Sequence, residues 1–151
     1  MTVSARDLYG GSDVVRTRQK RNPRKTAVNR ADHFASLAVR SSGPCVLAEF
    51  VPRHECKGKL ECGHLFSRVA YSTRWADMNL YPICSWANIR MESDPVVARQ
   101  LLEYAESKWG KPMIEELHRI YEQAKPVPTW LIQELADRWE RKCEALNVDN
   151  R

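Results

Sequence analysis

His64 is the side chain around which the most chemistry can be assembled. It stands in the segment "ECGHLFSRVAYSTRWADMNLYPICSWANIRMESD", residues 61–94, with Asn79 fifteen positions on, Asn88 nine further and a carboxylate at Glu92. Hydrolysing a phosphodiester requires a base that takes a proton from water, and positive charge that stabilises the pentacovalent phosphate and the departing oxygen. A neutral imidazole suits the first task near pH 7, provided a partner on its other ring nitrogen fixes its tautomer and aim. Oxygen donors such as an asparagine carbonyl or a carboxylate suit Mg²⁺ or Mn²⁺ for the second. On a phosphodiesterase reading His64 is the general base, Asn79 the residue that orients it, Asn88 a metal ligand and Glu92, four residues on, the group that could complete the metal shell. Arg68 and Arg74 fall where they could grip the scissile phosphate or its neighbours. Because His and Asn are common, spacing alone suits a satisfied core histidine with two turn asparagines at least as well.

The elements around this segment must bring the three side chains together. Residues 59–66 (KLECGHLF) read as an extended piece, with Leu60, Cys62, His64 and Phe66 on one face and Glu61, Gly63 and Leu65 on the other. Residues 45–51 (CVLAEFV) read as a strand or knuckle, and "YSTRWADMNLYPIC" as loop followed by strand. Asp94 can cap a helix that has Pro95 at its first position and ends at Gly110. Lys111-Pro112 opens the next helix, with Ile114, Leu117, His118, Ile120 and Tyr121 on its apolar side, and "KPVP" at 125–128 breaks it. Thr129 is expected to cap the last helix, with a stripe of Leu131, Leu135, Trp139 and Leu146. Upstream, "NRADHFASLAVR" suits a short amphipathic helix stopped by "SSGP" at 41–44. The five tryptophans read as packing aromatics. Two strands followed by a helix, with the histidine on the first strand and an asparagine on the turn after the second, is the layout of a ββα-metal (HNH) core. The expected fold is thus small α+β: a basic arm over 1–30, the ββα core with its preceding short helix over 31–110, and a helical extension over 111–151.

The pattern "CGHLFSR…STRW…N…P.C…N.R.E.DP" resembles the lambda-type phage recombination endonucleases, the NinG or Rap family, within the HNH superfamily. "HFASLAVR…GPC" before the core and "YAESKWGKPMIEELHRIYEQAKPVP" after it extend the resemblance over about residues 32–146. It implies metal-dependent cleavage of branched or junction DNA during phage recombination, in the cytoplasm of a bacterial host, alongside other phage recombination or packaging proteins. Carried over, His64 matches the family's GH histidine, Asn79 its middle asparagine, and Asn88 the asparagine after the second cysteine knuckle.

Two departures from the family bear on metals. Its two CxxC knuckles, which bind structural zinc, read here Cys45-Val-Leu-Ala48 and Cys84-Ser-Trp-Ala87. Either zinc has been lost and replaced by apolar packing, or Cys56, Cys62 or His54 completes a rearranged site with Cys45 and Cys84. The paired loss favours the first, since half a zinc site has little use, and metal analysis is then expected to find less than one zinc per chain. The second departure is Met91, where several relatives carry His. One metal ligand fewer favours an alternative reading, a non-catalytic DNA-binding or phage-assembly protein that keeps a degenerate HNH fold.

Charge and cysteine count narrow the class further. The net charge is +5 over 151 residues, and residues 1–30 hold eight cationic side chains against Asp7 and Asp13. The remainder is near neutral, so the charge sits on an arm that suits phosphate contact through Arg16, Arg18, Lys20, Arg21, Arg24 and Lys25. Residues 1–26 hold few aliphatics and are expected to be weakly ordered when free of DNA. Five cysteines without a secretory h-region point away from a disulfide framework and toward a reduced, intracellular setting. No apolar run approaches the roughly 18 residues of a membrane span.

Overall fold

The computed structural model describes residues 20–148, an α+β fold that is mostly helical around one two-stranded antiparallel hairpin. Helix α1 spans Pro23–Ser41 and α2 spans Val46–Phe50. Strand β1 (Leu60–His64) leads through helix α3 (Tyr71–Arg74) and a 3₁₀ turn (Asp77–Asn79) into β2 (Leu80–Cys84). Four helices follow: α4 (Ser85–Arg90), α5 (Pro95–Trp109), α6 (Lys111–Gln123) and α7 (Thr129–Ala145). No helix among the described residues is long and apolar enough to cross a membrane.

Helix α1 starts well before the stretch that its apolar period suggested. Asn22 caps it by accepting from the backbone N–H groups of Arg24 and Lys25, with Pro23 in the first turn. Its buried face carries Ala27, Val28, Ala31, Phe34, Ala35, Ala38 and Val39. The four alanines let α7 approach closely, so that Ile132, Ala136, Trp139 and Cys143 pack into α1. Residues 23–30, read from composition as part of a loose arm, therefore belong to this helix pair. Small apolar side chains have little weight in a hydropathy pattern but fit a close helix contact. Arg24 is drawn in as well: its guanidinium donates to the Val127 carbonyl at 2.8 Å and to Thr129 Oγ1 at 3.4 Å.

Two further details of the sequence reading change. Thr129 makes no cap, since the α7 N-cap is Pro128 and the Thr129 hydroxyl accepts from Arg24 instead. Residues 46–50 form a helical turn rather than a strand, with Leu47 fully buried. Trp75 and Trp139 lie in the core, whereas Trp130 is 60% exposed.

The hairpin lies between two packed layers. Leu80 joins Trp75 and the α1–α7 pair, while Tyr81, Ile83 and Cys84 pack with α2, Ala87, and Val97, Leu101 and Ala105 of α5. Every residue of β2 is buried, as expected for a strand covered on both faces. The hairpin register pairs Leu60 with Cys84, Cys62 with Pro82 and His64 with Leu80. His64 therefore sits at the strand's last position, where the chain turns into the long loop.

Candidate functional site

His64, Arg68, Asn88 and Glu92 line one open cleft, together with Cys62, Leu65, Ser67, Ile89 and Met91. Two elements shape it. Strand β1 brings Cys62 and His64 toward Asp32, Ala35 and Ser36 of α1, where a smaller recess continues behind the imidazole. On the other side of the strand, Asn88 of α4 lies across Glu61 and Gly63. The pairing of His64 with Asn88 and Glu92 read from spacing is thus one of shared lining, wrapped around the first strand of the hairpin.

His64 is pushed down to about pKa 4, first by burial, then by the charge of Arg74 and with help from Arg68. Asp32 and a hydrogen bond to the Arg74 backbone act in the opposite direction. The imidazole is consequently neutral at pH 7 and able to accept a proton. An anionic phosphate brought beside it would raise its basicity toward the range of an effective general base.

Asn79 does something different from what its spacing suggested. It is fully buried, its Oδ1 accepts from Phe66 N at 2.7 Å, and its Nδ2 donates to the carbonyls of Phe66 at 3.0 Å and Thr73 at 3.1 Å. The Asn79 carbonyl also accepts from Leu65 N at 2.9 Å. The Asn79 side-chain amide is spent on Phe66 and Thr73 rather than on His64; it pins the loop between the strands and so sets where the chain leaves His64. Replacing Asn79 with Ala would strip the partner from the buried Thr73 carbonyl and from the half-buried Phe66 N–H and carbonyl, a buried group left unpaired costing about 1–3 kcal/mol. We expect Asn79→Ala to lower stability by roughly 3 kcal/mol or more, read as a large fall in the denaturant midpoint. A midpoint unchanged within error would show that the loop is held by other means.

Arg74 is likewise committed to structure. It donates to Asp32 through Nε at 2.9 Å and Nη2 at 2.5 Å, and to the Arg68 carbonyl at 3.0 Å, while Trp75 Nε1 reaches the same carboxylate at 2.9 Å. Three of its five donors are so engaged, which ties the guanidinium to Asp32 and the loop. Arg68 is exposed at the cleft. Lys20, Arg21 and Lys25 are exposed around the start of α1, whereas Arg16 and Arg18 lie outside the described residues. Asp32 is the residue that sequence reasoning missed here: an acid eight positions ahead of Arg40 on α1 carries no motif, and only the fold brings it under the loop of His64.

A second constellation lies at the far end of the hairpin. Cys45, His54, Cys56 and Cys84 bring their ligand atoms within 4.8 Å of one another. His54 Nε2 is 3.8 Å from Cys45 Sγ and 3.6 Å from Cys84 Sγ. A tetrahedral ion with zinc-like bond lengths needs S···N separations of about 3.6 Å, so the donor set and its spacing fit such an ion. Cys45 and Cys84 each directly precede a short helix, α2 and α4, and Cys84 N points at Cys45 Sγ from 3.4 Å. The loop carrying His54 and Cys56 is tied over them by Ser85 N to Lys59 O at 2.8 Å and Trp86 N to Lys57 O at 3.2 Å. Gly58 permits that approach: it has φ +80°, and a Cβ there would stand 1.9 Å from Ser85 Oγ.

The thiols report their crowding. Local desolvation against the protein, together with the neighbouring Cys45 and Cys84, pushes the otherwise exposed Cys56 thiol up to about 12. Burial also acts to raise Cys84, but hydrogen bonds from the backbone at Ala87 and Lys57 and from the adjacent thiols bring it below the usual thiol value. A cation at the centre would relieve both.

Of the two readings of the altered knuckles, the donor positions suit the rearranged site, with His54 and Cys56 beside Cys45 and Cys84, rather than plain apolar packing. Alanines at 48 and 87 do remove two thiolates, but His54 and Cys56 bring two other donors to Cys45 and Cys84. Cys62 is not part of the cluster; it borders His64 and packs against the α1–α7 core, and burial pushes its thiol up to about 12. The signal in the sequence was the His54-x-Cys56 pair between the two half-knuckles. No protein-family model, curated protein or solved structure matches this chain, so its function is read from its own residues.

Proposed function

We propose that this protein is a metal-dependent DNA endonuclease of the ββα-metal type, with its hairpin braced by a structural zinc ion at Cys45, His54, Cys56 and Cys84. The observation that carries the reading is the neutral, half-buried His64 on the hairpin, sharing an open cleft with Asn88, Glu92 and Arg68. His64 takes the proton of a water molecule as that water attacks the phosphorus, and the strand end and pinned loop hold the imidazole in place. Arg68 draws the phosphate into the cleft as a charge-assisted donor. A divalent cation, when bound, supplies charge stabilisation to the phosphate and the departing oxygen. Asn88 Oδ1 and Glu92 would hold it, and both are hard oxygen donors suited to Mg²⁺ or Mn²⁺. The Met91 side chain offers no oxygen, so water and phosphate would have to supply more of the ligands.

DNA, including branched DNA, is the partner that fits the exposed cations Lys20, Arg21, Lys25 and Arg68 and the chain's positive charge. The resemblance to phage recombination endonucleases agrees with this substrate class. Nicking of supercoiled plasmid and of a four-way junction, with Mg²⁺ or Mn²⁺ and with EDTA, tests the proposal. Metal-dependent nicking is expected. Met91 in the cleft favours the second reading, a DNA-binding protein without turnover, and gel retardation with no cleavage under either metal would establish that one instead.

A further inference from the structure

The side-chain amide of Asn88 has two ends of opposite polarity, and only the oxygen can face a cation. The fold decides which end does. Asn88 Nδ2 donates to Glu61 Oε2 at 2.7 Å. An ionised carboxylate can only accept, so this contact selects the NH₂ end and excludes the flipped amide. Glu61 and Gly63 share one face of β1. A Cβ on Gly63 would stand 3.3 Å from Asn88 Oδ1 and 2.4 Å from Ile83 Cγ2. The amide thus lies along the strand, its nitrogen held by Glu61 and its oxygen over a position kept bare. From there Asn88 lines the same cleft as His64 and Glu92.

We propose that Glu61 is a positioning residue for metal binding: its carboxylate fixes Asn88 with the amide oxygen toward the cation. The inference rests on the reading of Asn88 as a ligand. Rotation about the last torsion of an asparagine is soft and roughly two-fold. Without a partner that discriminates, the amide divides its time between a ligand and a pair of donors aimed at the ion. Binding weakens in proportion to the competent fraction, and the loss of a nearby negative charge weakens it further. Glutamine at position 61 keeps the shape of glutamate but offers both a donor and an acceptor, so it holds either orientation.

The test is a double-mutant cycle on Mn²⁺ affinity, measured by electron paramagnetic resonance on full-length protein without DNA, with thermal melts alongside. The four proteins are wild type, Glu61→Gln, Asn88→Ala and the pair combined. Glu61→Gln is expected to weaken Mn²⁺ binding several-fold in the wild-type background, about twofold of it from the divided amide and the rest from the lost charge, with an unchanged melt. In the Asn88→Ala background only the charge part should remain, so the effect there should be smaller by about twofold, since no amide remains to be oriented. Equal weakening in both backgrounds would mean that Glu61 acts by charge or as a ligand itself, and would overturn the positioning role. Wild-type affinity retained by Asn88→Ala would instead remove Asn88 as a ligand, a failure of the underlying reading. Absence of Mn²⁺ binding by wild type would overturn both.

Discussion

Protein purified from zinc-replete cells is expected to carry one tightly held zinc per chain, and to lose it in Cys84→Ser and Cys56→Ser but not in Cys62→Ser or Cys143→Ser. The contrast follows from geometry. Cys45, His54, Cys56 and Cys84 converge within 4.8 Å, whereas Cys62 borders His64 and Cys143 donates to the Phe34 carbonyl at 3.3 Å inside the α1–α7 interface. The stabilising effect should be large. The segment from Pro52 to Lys59 is exposed apart from the half-buried His54 and buries little apolar surface, so its order depends on the ion and on the few backbone bonds that tie it to α4. Structural zinc sites contribute folding free energy directly. Chelation should lower the melting temperature by roughly 10–20 °C, the equivalent of several kcal/mol in a domain of this size. Elemental analysis with parallel melts decides the matter. Full stability in a strong chelator, or zinc retained by Cys84→Ser, would falsify the assignment.

His64→Ala is expected to reduce nicking by about 10²–10⁴-fold while DNA binding stays within about twofold, because a general base acts mainly in the transition state. Its pH dependence provides an independent check. His64 is lowered to about pKa 4 in the fold, while the unfolded chain titrates near 6.5. The folded state therefore binds fewer protons than the unfolded state between those values. Stability is fully present above about pH 6.5 and is lost as pH falls toward 4. His64→Ala should flatten that decline, measured as denaturant midpoints from pH 7 to pH 4. In the free enzyme, neutral His64 also predicts that kcat/KM shows no loss from protonation of this group between pH 8 and pH 6. An activity limb near pH 6.5 that disappears in a buffer-rescued His64→Ala enzyme would place the working pKa at its ordinary value and contradict the buried, Arg74-facing imidazole.

Much of this organisation is written locally. The alternation in KLECGHLF sets a strand ending at His64, Asp94 and Pro95 start α5, and Gly110, with φ +90°, ends it. The spacing of His64, Asn88 and Glu92 around a strand–turn–helix is enough to predict that they border one cleft, since short elements leave few ways to arrange them. The roles of Asn79 and Arg74 are not local. Whether a buried amide bonds an imidazole or a loop backbone depends on which carbonyls the closed loop presents, and whether an arginine faces solvent or Asp32 depends on how α1 lies across the hairpin. The same holds for Glu61, which meets Asn88 only because Gly63 lets α4 settle onto β1. The Cys/His cluster marks the boundary most clearly. The sequence by itself determined that two knuckle thiolates were missing. The sequence offered Cys56, Cys62 and His54 as substitutes, and only the tertiary structure decided that His54 and Cys56, not Cys62, lie beside Cys45 and Cys84, because backbone hydrogen bonds and a left-handed glycine bring that loop over them.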